Sequence, residues 1–186
     1  MTDEQTVELF QKGNKDAGER LLIKYKNYVL KIARRFFLSG GDTEDLVQEG
    51  MCGLYSAMVT FSKQSANFST YAYTCIKNRI IDAVKVGDNN KNAALNNFIP
   101  IVDDEQFISA AEDSPEEKLI KSENESEFMQ KMKVNLSSLE YKAMALYLSG
   151  STLPEISKVL NKPYKSIDNA IARSKHKLQK IFALEK

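Results

Sequence analysis

The stretch from Thr152 to Ile181, TLPEISKVLNKPYKSIDNAIARSKHKLQKI, constrains the chain most, because its spacing admits two helices with a tight turn between them and little else. Leu153, Ile156, Val159 and Leu160 recur at helical spacing, and Pro154 sits early, where a missing N–H costs nothing. Asn161, a residue that tolerates the left-handed conformation, closes the first helix. The second opens near Pro163, and Ile167, Ala170, Ile171, Leu178 and Ile181 fall on one side at the 3.6-residue period. Lys165, Asn169, Arg173, His176 and Lys180 fall on the other. Between Lys162 and Lys180 there are six Lys/Arg and one acid, Asp168. A narrow helix with cations and amides outward suits the major groove of DNA. An ordinary surface helix with solvated lysines carries the same pattern, so this stretch alone leaves both readings open.

Composition excludes several classes of function. With 186 residues, 42% hydrophobic and 27% charged, the chain is globular, and no apolar run approaches a membrane span. Its N-terminus is polar and acidic rather than signal-like, so a cytoplasmic protein without membrane contact is expected. Cys52 and Cys75 are too few for a disulfide framework and, with the single His176, for a four-ligand zinc site. No phosphate-binding glycine loop, dinucleotide fingerprint or nucleophile elbow is present. Neither catalytic residues nor a metal or cofactor is therefore expected. The net charge of +1 conceals segregation: from Ile101 to Glu127 ten acids face only Lys118 and Lys121.

Periodicity predicts an all-α protein of two small helical domains joined by an acidic linker. A short helix runs from Asp3 to Lys12 and breaks at Gly13-Asn14. From Asp16, the expected N-cap, Leu21, Leu22, Tyr25, Tyr28, Val29, Ile32 and Phe36 mark one face of a long helix. Six basic residues between Arg20 and Arg35 read as its solvated outer face. After Gly40-Gly41, Asp42 caps a helix with Glu44 and Asp45 in its first turn, where the helix dipole favours carboxylates. Its inner side carries Leu46, Val47, Gly50, Met51, Leu54, Ala57 and Met58. Gly50 and Gly53 each cost about 1 kcal/mol against alanine inside a helix, which points to close packing or a docked partner.

A further helix runs from about Ser69 to Lys85, with Ala72, Cys75, Ile76, Ile80 and Ala83 inward. Thr70, Tyr71, Thr74, Asn78, Ile81 and Lys85 are expected outward, flanked by Lys77. An outward aromatic beside amides and lysines can hold an unstacked base, although a half-buried core tyrosine gives the same signal. The breaker-rich stretch 88–97 marks a domain boundary. Ser114-Pro115 opens a helical stretch toward Lys133, and Leu136-Ser137-Ser138 has capping character before the helix that supports the helix-turn-helix. The expected domains are thus 1–88 and 134–186, with 89–133 as linker.

Two separated stretches, DLVQEGMCGLYSAMVTF followed by FSTYAYTCIKNRIIDAV, and the helix-turn-helix with SIDNAIARSKHKL, together resemble a bacterial sigma factor of the sigma-70 family. LNKPYKSIDNAIARSKHKL is similar to its alternative, sigma-H-like branch. The resemblance implies a dissociable initiation subunit that binds core RNA polymerase, directs it to −35/−10 promoters and helps nucleate melting, without bond chemistry of its own. It places Asp45, Gln48, Glu49 and Met51 at positions that dock on the clamp helices of the polymerase largest subunit. Phe68, Ser69, Thr70 and Tyr71 match the segment that opens the −10 element, with Tyr71 where a flipped adenine stacks. Thr74, Lys77 and Asn78 match the face reading that element's upstream edge. Lys165, Ser166, Asn169 and Arg173 match the positions that read −35 promoter DNA. It leaves open whether an anti-sigma protein is a further partner.

The chain also departs from the family. Housekeeping members carry a Trp-Trp wedge where this chain has Thr74 and Cys75, and the loop between Phe61 and Phe68 is about one residue shorter. Narrower promoter tolerance is expected in consequence. The N-terminal inhibitory extension of housekeeping members is likewise expected to be absent. A stand-alone helix-turn-helix regulator is the competing reading; it has no need of the Gln48/Glu49 and Tyr71 faces. An enzyme acting on nucleic acid is a third, and the scattered acids lack the context such chemistry requires.

Overall fold

A computed structural model of the chain describes residues 1–36, 43–62, 67–87 and 126–184. The described residues form eight helices and no strand. They are α1 (Asp3–Gln11), α2 (Lys15–Arg34), α3 (Thr43–Thr60), α4 (Phe68–Gly87), α5 (126–135), α6 (Ser138–Leu148), α7 (Leu153–Leu160) and α8 (Tyr164–Leu184). The helical periods of the sequence account for this all-α architecture. Asp42, the loop 63–66 and the acidic connector as far as residue 125 lie outside the described residues.

Helices α1–α4 enclose one apolar core, in which Tyr25, Val29, Ile32, Phe36, Leu54, Met58, Phe68, Ile76 and Ile80 are buried. α3 and α4 meet so closely that a Cβ on Gly53 would stand 2.9 Å from the Cys75 carbonyl oxygen and 3.0 Å from the Ile76 Cα. On Gly50 it would stand 2.7 Å from Val29 Cγ1. Close helix packing is therefore what the two mid-helix glycines serve.

α1 braces this unit from outside. Asp3 accepts from Lys24 Nζ at 2.6 Å and from the Tyr25 hydroxyl at 2.7 Å. Gln11 Nε2 donates to the carbonyl oxygens of Met58, Val59 and Phe61 at 3.0, 3.2 and 3.0 Å, satisfying acceptors that the end of α3 leaves open. The N-cap of α2 is Asn14, not Asp16: the positive φ of Gly13 turns the chain, and Asn14 Oδ1 accepts from the Ala17 N–H at 3.0 Å.

A second core joins α5–α8 through Phe128, Met132, Ala143, Met144, Leu148, Ile156, Ile167, Ala170 and Leu178. It takes in α5, which the sequence reading leaves in the linker. Ser137 caps α6 in a reciprocal box with Glu140, whose Oε2 accepts from the Ser137 N–H at 2.9 Å. Asn161 adopts the left-handed conformation (φ 49°, ψ 51°) that ends α7. Of the apolar residues that recur at helical spacing in α7, Ile156 is buried and Val159 is 68% exposed.

The basic face expected of α2 is not wholly solvated. Arg34 and Arg35 are buried, and Arg34 Nη1 donates to the carbonyl oxygens of Tyr147 and Ser151, 2.8 Å each, joining the two helical units. Arg34 is buried here because the C-terminal end of α6 supplies carbonyls, a circumstance that the local sequence does not announce. Lys175 of α8 adds a second link, donating to Thr43 Oγ1 at 3.1 Å and to the Tyr147 hydroxyl at 2.9 Å.

Candidate nucleic-acid interface

α8 owes its outward row to the apolar stripe that docks it on α6 and α7. Ile167, Ala170, Ile171, Ser174 and Leu178 are buried, which turns the intervening residues out. Lys165, Asn169 and Arg173 are exposed and Ser166 is half-buried. At 3.6 residues per turn these four lie within about 100° of one another. Lys165, its side chain largely in solvent, pairs loosely at 3.6 Å with the partly exposed Asp168. Such exposed pairs contribute little and exchange readily for phosphate.

Arg173 is held differently. Its Nε donates to Glu140 Oε1 at 3.2 Å, and Lys177 Nζ donates to Glu140 Oε2 at 2.8 Å. Glu140 is 3% exposed. Burial alone would raise its pKa, yet the hydrogen bonds from Lys177 and from the Ser137 N–H and hydroxyl outweigh burial and hold the carboxyl down at about 2. The Ser-x-x-Glu spacing announces the cap, but nothing in the sequence links Glu140 to residues 33 and 37 positions away.

α4 presents the second polar face. Asn67 Oδ1 caps its start, accepting from the Thr70 N–H at 3.0 Å, the Thr70 hydroxyl at 2.6 Å and the Ser69 hydroxyl at 3.0 Å. Glu4 Oε1 accepts from the Phe68 N–H at 3.1 Å, a bond that lowers the Glu4 pKa. Of the seven expected −10 residues, Phe68 and Thr70 are buried: Phe68 packs edge-on against Tyr25 and Phe61, and the Thr70 hydroxyl is spent in the cap. Ile81, also projected outward, belongs to the core.

Thr74 and Asn78 are exposed, while Ser69, Tyr71 and Lys77 are half-buried. The Tyr71 ring leans on Phe61 with centroids 5.7 Å apart, and its hydroxyl lies 3.0 Å from Thr60 Oγ1. One side of the ring is thus backed by protein. Lys77 Nζ stands 5.7 Å from the Tyr73 ring centroid.

On α3, Asp45 and Gln48 are exposed, Glu49 is half-buried and paired with Arg79 Nε at 2.7 Å, and Met51 is half-buried against the core. No group of His, Cys, Asp and Glu able to hold a metal ion occurs among the described residues. No described helix is long and apolar enough to cross a membrane.

Residues 21–88, which hold most of α2 together with α3 and α4, match the model of Sigma-70 region 2. Along its length the chain is 41% identical to an RNA polymerase sigma-H factor of Bacillus licheniformis, covering 99% of this chain and 88% of that one. It is 40% identical to an RNA polymerase sigma-H factor of Bacillus subtilis, covering 99% and 90%. The crystal structure of an RNA polymerase sigma-H factor from Fusobacterium nucleatum is similar at 28% identity over 76% of this chain and 95% of that one, with a TM-score of 0.34. The chain belongs to the sigma-70 family, as an alternative sigma factor that directs RNA polymerase in transcription initiation.

Proposed function

We propose that the two outward polar faces divide promoter recognition between them. Lys165, Ser166, Asn169 and Arg173 of α8 read −35 duplex, where an arginine can bond guanine through two nitrogens and an asparagine can bond adenine. Ser69, Tyr71, Thr74, Lys77 and Asn78 of α4 engage the −10 element as it opens, and Phe68 and Thr70 support that segment from beneath. Extracting one base costs a few kcal/mol and stacking returns about 1–3, so phosphate contacts and polymerase supply the remainder. Asp45, Gln48, Glu49 and Met51 of α3 dock on the clamp helices of the polymerase largest subunit. Of the expected linker 89–133, the part before α5 acts as the connector between the two readers, residues from 126 on belonging to the second unit, and promoter DNA and core polymerase are the partners.

The observation that carries this reading is Tyr71: a half-buried ring, backed on one side by Phe61, on the helix face that also carries the exposed Thr74 and Asn78. A regulator that binds duplex alone has no use for it. Run-off transcription with purified core polymerase on genomic fragments tests the proposal and yields the promoter. Promoter-dependent transcripts and co-purification with core enzyme are expected. A protein that binds duplex but gives no transcripts with core enzyme would be a stand-alone regulator instead.

A further inference from the structure

The support helix α6 and the recognition helix α8 are joined at one buried residue. Glu140 receives Arg173 Nε on one carboxylate oxygen, and Lys177 Nζ and the Ser137 N–H on the other. Its main-chain carbonyl accepts from the buried Ser174 hydroxyl at 3.4 Å, and that hydroxyl also bonds the Ala170 carbonyl at 2.8 Å. The turn of α8 that carries Arg173 is therefore registered on α6 by backbone and side chain of the same residue.

We propose that Glu140 is a positioning residue for −35 recognition, holding the Arg173 guanidinium by Nε so that its terminal Nη edge is presented to a base. This rests on Arg173 reading −35 DNA. An arginine carries five N–H donors in a planar fork, and the two terminal Nη nitrogens can match a guanine end-on while Nε bonds elsewhere. With Nε committed to Glu140, that terminal edge is what remains. The Arg173 side chain stays 61% exposed while the carboxylate holding it is 5% exposed, so the contact fixes orientation without withdrawing the group from solvent. Freezing a long free side chain on binding costs rotamer entropy, and a side chain already held loses less. Charge favours the arrangement too: two cations on one carboxylate leave the site positive toward the phosphate backbone.

Glu140→Gln separates positioning from capping. Glutamine still serves at this cap position. It offers one acceptor oxygen where Glu140 offers two, so it cannot serve both the Ser137 N–H and Arg173 Nε. The experiment measures holoenzyme binding to the promoter found by run-off transcription and to single base-pair substitutions across its −35 element. For Arg173→Ala, discrimination at one base pair should fall about 5- to 100-fold. Glu140→Gln should lower discrimination at that same base pair about 3- to 10-fold, and add nothing at that base pair in the Arg173→Ala background. Ser137→Ala, which weakens the cap and spares the pair, should leave discrimination intact.

If Glu140→Gln folds poorly, Glu140→Asp, whose carboxylate falls one methylene short, should give the same selective loss. A uniform loss across all −35 sequences, or intact discrimination in Glu140→Gln where Arg173→Ala loses it, overturns the positioning role. If Arg173→Ala itself leaves every position unchanged, the −35 reading of Arg173 falls first and the role of Glu140 with it.

Discussion

The Arg34 guanidinium lies 3.9 Å from the centroid of the Tyr147 ring, while its Nη1 donates to the carbonyl oxygens of Tyr147 and Ser151. It thereby places a cation at the carbonyl end of α6, where the helix dipole favours one. Alongside it, a Cβ on Gly150 would stand 2.8 Å from the Asn27 carbonyl oxygen and 2.7 Å from Lys31 Cγ, so the backbone at 150 rests directly on α2.

Arg34→Met should loosen the two helical units from each other. The substitution removes two charge-assisted hydrogen bonds and one cation–π contact, and leaves the Tyr147 and Ser151 carbonyls to water. A loss of about 2–3 kcal/mol is expected from urea unfolding, with a larger radius of gyration in X-ray scattering. An unchanged unfolding midpoint and radius would count against the link.

Gly53→Ala should destabilise the α1–α4 unit although alanine is the better helix former. The new Cβ meets backbone atoms of α4 at 2.9 and 3.0 Å, which no rotamer change can relieve. Overpacking of about 1–3 kcal/mol should outweigh a propensity gain of about 1. Chemical denaturation followed by circular dichroism reads the sign; a stabilised variant would refute the close approach.

Acid should weaken the α5–α8 unit through Glu140. Its folded pKa of about 2 lies below the ordinary 4.5, so the folded state binds fewer protons and stability rises with pH across that interval. The contribution is complete above about 4.5 and is lost as pH falls toward 2. Glu4, lowered chiefly by its bond from the Phe68 N–H, adds to the same trend in the other unit. The stability difference between the native protein and Glu140→Gln, measured by urea unfolding, should shrink as pH falls through this window. A difference independent of pH would contradict the assignment.

Tyr71→Ala should slow open-complex formation roughly 5- to 150-fold, corresponding to about 1–3 kcal/mol of lost stacking, while closed-complex binding changes little. Tyr71→Phe keeps the ring and its support on Phe61 and loses the hydroxyl's bonds to Thr60 and Cys75, so it should stay close to wild type. Permanganate footprinting alongside filter binding distinguishes the two stages. Equal loss at both stages in Tyr71→Ala would remove the stacking role.

The sequence by itself determined the helices and their ends wherever the cause is local. Asn161 ends α7 and Ser137 starts α6 because cap chemistry acts over three or four residues, and the stripes on α2 and α8 emerge from a period of 3.6. Gly50 and Gly53 revealed a tight neighbour without naming it. Tertiary structure decided what became of the polar groups. Arg34 and Arg35 read as solvated and are buried. Thr70 and Ile81 project outward and are covered, and Glu140, the partner of Ser137 in the cap, holds two cations of another helix. Apolar burial needs only a face, which periodicity supplies. Burial of a charge needs a particular partner at hydrogen-bond distance, and for Arg34 that partner lies 113 residues along the chain, where only folding brings it near.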